Sequence, residues 1–171
     1  KKVSCDINWD KFIEKSPDYS VFFNSIYLNN INRKIHTFFV YNAAEVRAAI
    51  ALPVSDKEDY VIEDDFLIYS GVVIGNKTND QSISQVNAER FYILEFIANE
   101  LPKLYSKIHF SFSPSIFDIR PFQWYRYGEK EGIYNINTKY TSYVSIDDFI
   151  DKNNYQATNL YKNASSSRRQ Q

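Results

Sequence analysis

Thr37-Phe38-Phe39-Val40-Tyr41-Asn42-Ala43-Ala44-Glu45-Val46-Arg47-Ala48-Ala49-Ile50-Ala51-Leu52 reads as two strands joined by a short turn. Bulky β-formers fill Lys34 to Tyr41, and Asn42 to Glu45 breaks the run. Val46 to Val54 then returns, so the pair predicts a β-hairpin. The unbroken apolar run Ala48 to Leu52 predicts a strand buried on both faces.

Upstream of the hairpin, Asp6 to Lys15 predicts a short helix, with Trp9, Phe12 and Ile13 at 3–4 spacing. Ser16-Pro17-Asp18 is a turn signal. Ser20 to Ile31 reads as a second helix, with Phe22, Phe23, Ile26, Tyr27 and Ile31 on a broad apolar face. Downstream, Ser55 to Asp65 is acidic and loop-like. Phe66 to Gly75 follows as an extended run interrupted by Gly71, where a missing side chain suggests a bulge or a close approach. Asn76 to Ser82 is polar loop. Ser84 to Tyr105 is the strongest helix, capped by Ser84 or Asn87, with Pro102 kinking or shortening its end. Lys107 to Phe112 alternates as a strand. Ile133 to Ile146 reads as a long amphipathic strand, and Asp147 onward as a helix running into Ser165-Ser166-Ser167-Arg168-Arg169. The order α-α-β-β-β-α-β-β-α, with hairpins, predicts an α/β (α+β) chain with a mixed, mainly antiparallel sheet flanked by helices.

Composition narrows the function. A chain of 171 residues is long enough for one sizeable core. Fourteen Tyr and 13 Phe argue for an ordered protein. A net charge of −1 supplies no global field for DNA or an anionic membrane. Cys5 is the only cysteine, so no internal disulfide forms, and with no signal-peptide pattern this favours the cytoplasm. No apolar run approaches a transmembrane span. Two glycosylation sequons, at Asn76 and Asn163, read as coincidences of an Asn-rich chain. The absence of methionine and the polar, basic ending at Gln171 read as the marks of a fragment of something longer.

Candidate chemistry concentrates in Ser113-Pro114-Ser115-Ile116-Phe117-Asp118-Ile119-Arg120-Pro121-Phe122-Gln123-Trp124-Tyr125. Two prolines predict a rigid, aromatic-lined corner that is neither a regular helix nor a central strand. It holds one carboxylate and one guanidinium two residues apart. Two readings stand side by side. In one, Asp118, Arg120, Trp124 and Tyr125 bind a ligand. In the other, Phe117, Phe122 and Trp124 plug the core while Asp118 pairs Arg120. Arg120 suits an acceptor's phosphate or carboxylate, and Trp124 and Tyr125 can stack on a sugar or base. His36 and His109 read as packed or hydrogen-bonded histidines. No metal-ligand spacing, phosphate loop or nucleophilic triad occurs, so no catalytic residue is assigned and no metal is expected.

These features resemble the first half of the FemAB-like acyltransferases of the GNAT superfamily. The likeness rests on the element order, Phe66-x-x-Tyr69-x-Gly71, and the helix ending Leu101-Pro102-Lys103-Leu104-Tyr105. It also rests on the corner Pro114-x-x-x-Asp118-x-Arg120-Pro121-Phe122-x-Trp124 and on Leu160 through Arg169, which is similar to the family's Leu-Ser-x-x-x-Arg-Arg helix. The resemblance implies a single GNAT-like domain over residues 1–171, followed by a second GNAT-like half. It implies transfer of an acyl or aminoacyl group to an amine of a cell-wall, sugar or peptide acceptor. Tyr69 and Gly71 would then line the cleft where the sheet opens. The chain departs from the family where Phe23-Asn24-Ser25-Ile26-Tyr27-Leu28 replaces a Gln-Ser…Trp pattern, which weakens a peptidoglycan-precursor role. Four glycines cannot build a CoA pyrophosphate loop. A donor such as aminoacyl-tRNA or acyl-CoA would be a substrate of the second half, and this half would carry no cofactor. The alternative is a non-catalytic glycan- or peptide-binding or scaffolding module. Its platform would be the Tyr-rich strand from Tyr134 to Val144.

Overall fold

A computed structural model describes residues 1–77 and 80–140. Its contacts divide the chain into Lys1–Asn135 and Ile136–Gln171. Of the latter, 136–140 are described, and they are exposed and without regular secondary structure. The first unit is a small α+β fold. In order it contains α1 (Ile7–Ile13), a 3₁₀ turn (Val21–Phe23), α2 (Ser25–Asn30), β1 (Ile35–Asn42), β2 (Glu45–Pro53) and β3 (Tyr60–Val61). It continues with β4 (Gly71–Ile74), α3 (Ile83–Leu104), β5 (Lys107–Ile108) and α4 (Arg120–Trp124).

The expected hairpin is the centre of the sheet. β1 pairs antiparallel with β2, with a bulge opposite Val40/Tyr41, and β2 pairs antiparallel with β4. The turn places Ala43 at φ 51°, the left-handed region. The segment before α1 runs along the outer edge of β1, where Val3 N–H donates to Thr37 O at 2.9 Å and Phe39 N–H to Lys1 O at 2.9 Å. Strand periodicity sends alternate side chains of β2 to opposite faces. Ala48, Ile50 and Leu52 join Val72 and Ile74 under α3, against Leu94, Ile97, Ala98 and Leu101. Ala49 and Ala51 join Phe39 and Val73 on the other face, against Trp9, Ile13, Phe23 and Leu28. The predicted double burial of this strand is therefore real: helices cover both faces.

Several expected boundaries move for local reasons. The helix expected over Ser20 to Ile31 breaks at Asn24, whose backbone is extended at ψ 139° and whose side chain caps α2 at Ile26 N–H. Ser82, not Ser84 or Asn87, caps α3, in a reciprocal box with Gln85. Pro102 sits in the last turn of α3, which ends two residues later. The loop Ser55 to Asp65 contains β3, which pairs in parallel with β5, so only Lys107 and Ile108 of the expected Lys107–Phe112 strand are strand. Phe66 to Ser70 is loop, and only Gly71–Ile74 of that run pairs. The corner does contain a helix, α4. Pro121 lies in its first turn, where an amide donor is not needed, so the proline that argued against helix helps to start one. Residues 133–140 form no strand; the rest of that expected strand, the helix from Asp147 and the Leu160–Arg169 resemblance lie outside the described residues.

Gly71 confirms close approach. It has φ +95°, and a Cβ there would stand 3.1 Å from the Phe110 ring and 3.3 Å from that of Phe112. Ser70 N–H donates to Ser111 O at 2.8 Å beside it. Gly71→Ala combines left-handed strain with overpacking, and urea denaturation should show a loss of at least ~2 kcal/mol. A loss below ~0.5 kcal/mol would mean the rings yield freely.

Candidate functional site

The corner after β5 is fastened before it presents any side chain. Ile116 N–H closes a turn onto Ser113 O at 2.9 Å, and the Ile116 side chain is buried in the α3 core. Phe122 of α4 is also buried, with its ring 5.1 Å from Phe112 and 5.0 Å from Tyr134. Between α3 and this corner lies a cleft of about 440 Å³. Arg90, Asn87 and Leu94 line it from α3; Ile116 through Arg120 and Gln123 line it from the corner.

Asp118 and Arg120 meet inside this cleft. Arg120 Nε donates to Asp118 Oδ1 at 2.8 Å and Nη2 to Oδ2 at 2.7 Å, a bidentate pair. The Arg120 guanidinium also lies 5.4 Å from the Phe91 ring centroid and 5.5 Å from that of Trp124. Two rings and a carboxylate fix a side chain that is still half-exposed. The hydrogen bonds from Arg120 hold the Asp118 carboxyl below its usual range, and Asp118 in turn raises the Arg120 guanidinium. A carboxylate so stabilised is a poor proton acceptor.

Arg90 supplies the second guanidinium. Its Nη2 donates to Asp18 Oδ1 at 3.0 Å and to Ser115 O at 3.2 Å. Asp18 is 2% exposed, and its Oδ2 accepts from Ile74 N–H at 3.1 Å. Ser16 Oγ donates to Ile74 O, and Asp18 N–H donates to that Oγ at 3.0 Å. One buried carboxylate thus ties the turn after α1 to β4, and through Arg90 to α3 and the corner. Beside it, Arg47 Nε and Nη2 donate to Glu89 at 2.5 and 2.7 Å, and these bonds hold the Glu89 carboxyl below its usual range.

Of the six residues singled out from sequence, Asp118 and Arg120 line the cleft and Trp124 flanks Arg120. Tyr125 turns away to Tyr134, with centroids 5.3 Å apart. Tyr69 packs on Phe22 in the opposite core, and Gly71 lies under Phe110 and Phe112. The structure does not bring these last three into the cleft. Phe117 and Trp124 are more than half exposed, so of the three rings expected to plug the core only Phe122 does. Arg90, Asn87 and Gln123 were not singled out. A signal existed for Arg90: it opens the buried helical stripe Leu94, Ile97 and Leu101, where a charge needs a partner.

Elsewhere, His36 is buried and hydrogen-bonded, with Nδ1 2.7 Å from Tyr105 Oη and Nε2 2.6 Å from Glu58 Oε2. The order is that of a hydroxyl–imidazole–carboxylate relay, but Tyr105 is 5% exposed and burial pushes its phenol up to about 12. It is no nucleophile. His109 is exposed and lies 3.5 Å from Glu63. Burial pushes the Cys5 thiol to about 12, leaving it unreactive. No group of three or more metal-ligating side chains occurs among the described residues. Tyr134 is half-buried, its hydroxyl donating to Ala98 O at 3.0 Å, whereas Tyr140 is exposed; the remaining tyrosine of the expected platform lies outside the described residues. No described helix is long and apolar enough to cross a membrane.

No protein-family model matches this chain, and no curated protein or solved structure matches it.

Arg90→Met would leave Asp18 buried without its cation, and denaturation should show a loss of about 3–5 kcal/mol. Glu89 and Asp118 have folded pKa values below their unfolded ones. Their stabilisation is complete above pH ~4.5 and is lost as pH falls through the lower folded values. Tm should fall on acidification below that point, and Glu89→Gln should flatten part of the fall. An unchanged acid limb in the variant would remove Glu89 from the account.

Proposed function

We propose that this chain is the acceptor-binding half of an N-acyltransferase of the FemAB-like, GNAT-superfamily type. The observation that carries the reading is the pre-oriented Asp118–Arg120 pair inside a cleft of small-molecule size. Transfer of an acyl or aminoacyl group to an amine needs that amine, unprotonated, held against an ester or thioester carbonyl. Positioning alone can supply about 7–11 kcal/mol of the barrier. Arg120, fixed by Asp118, Phe91 and Trp124, grips the small-molecule, sugar or peptide acceptor away from its reacting amine. The donor, aminoacyl-tRNA or acyl-CoA, is held by a second GNAT-like half of the same polypeptide, and the reaction takes place in the cytoplasm. The helix-flanked, mainly antiparallel sheet supports this reading because it is the architecture that the resemblance implies.

A second reading has an observation of its own. Among the described residues, no nucleophile with an adjacent base lines the cleft. This favours a non-catalytic module that binds a glycan or peptide at the same place.

A transfer assay on the full-length protein, run across aminoacyl-tRNA and acyl-CoA donors, separates the two. Arg120→Ala should lower kcat/KM at least ~10-fold, the worth of a charge-assisted hydrogen bond, with Tm changed by no more than about 3 °C. Transfer unaffected by the substitution, or absent with every donor while a glycan or peptide binds, favours the binding module.

A further inference from the structure

We infer that the cleft recognises a carboxylate on a monoanionic ligand with an apolar body; the inference rests on the acceptor-site reading above and narrows it to a chemical class. The hydrogen-bond inventory of the two arginines carries the argument. Asp118 uses the side edge of Arg120, Nε with Nη2, and leaves the end edge, Nη1 with the second N–H of Nη2, without a partner among the described residues. Arg90 spends Nη2 on Asp18 and Ser115, and leaves Nη1 and Nε without one. Arg120 is itself exposed, and no side-chain nitrogen of the partly buried Arg90 is both buried and unsatisfied, so these donors reach solvent, and both arginines line the cleft. The Asn87 amide on the α3 side and the Gln123 amide on the corner side, without side-chain hydrogen-bond partners among the described residues, add neutral donors.

Charge then selects the ligand. Each arginine already faces one carboxylate, Asp118 or Asp18, so the empty cleft is balanced. A phosphate dianion would bring two uncompensated charges beside the apolar side chains of Leu94, Ile116 and Ile119. A carboxylate brings one, and its two oxygens match the planar end edge of a guanidinium. The exposed rings of Phe117 and Trp124 offer apolar surface to the body of the ligand.

Phenylacetate, phenylacetamide and phenyl phosphate are suitable probes, titrated at pH 7 into the 171-residue chain while the Trp124 indole and Gln123 amide resonances are followed by NMR. Phenylacetate should shift both signals saturably. Phenylacetamide and phenyl phosphate should bind at least ~10-fold more weakly. Arg120→Lys keeps the charge but loses the fork, and should weaken phenylacetate by a similar factor without changing the backbone spectrum. Equal binding of the amide and the acid, unaffected by Arg120→Lys, overturns the carboxylate assignment and leaves the cleft as an acceptor site. Phenyl phosphate binding more tightly than phenylacetate overturns it in favour of a phosphate ligand. No shift from any probe overturns it outright. Transfer that ignores Arg120→Ala, alongside phenylacetate binding that needs Arg120, sinks the transferase reading and leaves the carboxylate site standing.

Discussion

Asp18 is a carboxylate sealed inside a protein whose other buried groups are mostly apolar, and much of the architecture follows from satisfying it. Burying an ionised carboxyl is tolerable only with a cation and hydrogen bonds close by. Ile74 N–H, at the end of β4, supplies one bond and Arg90, from α3, supplies the charge. The two helical layers on opposite faces of the sheet are thus joined by one polar contact as well as by their separate cores. Because Arg90 also reaches Ser115 O, the same contact fixes the corner after β5. This tie crosses from α3 to the corner beside the cleft that the two enclose.

Around this tie the molecule distributes its charges in neutral pairs. Arg90 with Asp18, Arg47 with Glu89 and Arg120 with Asp118 lie along or beside α3. Buried or half-buried pairs of this kind contribute more to geometry than to net stability. In the cleft, that geometry leaves guanidinium edges without a partner among the described residues, on side chains oriented by their carboxylates. Such pre-organisation lowers the entropy lost when a ligand binds. The Tyr105–His36–Glu58 chain uses similar parts to opposite effect: its phenol and imidazole are buried, and it joins the end of α3 to β1 and the acidic loop.

The sequence by itself determined the frame. Period-2 and uninterrupted apolar runs identified the hairpin and the double burial of β2, because side chains alternate strictly along a strand. The 3–4 stripe identified α3, and the missing side chain of Gly71 announced a close approach. It also named Asp118 and Arg120, since two residues of spacing beside a proline leave the pair little freedom to separate. Tertiary structure decided the rest. Whether Ser20 to Ile31 was one helix or two depended on Asn24 choosing to cap. The pairing of Tyr60–Val61 with Lys107–Ile108 joins segments too distant in sequence for any local pattern to show. Tyr125 and Trp124 are neighbours of equal aromatic character, yet one packs on Tyr134 and the other brackets Arg120. Asp18 and Arg90 are 72 positions apart, and their partnership is a property of the packed layers alone. Local chemistry fixes which residues are able to form a site; only the packing of β4, α3 and the corner fixes which of them meet.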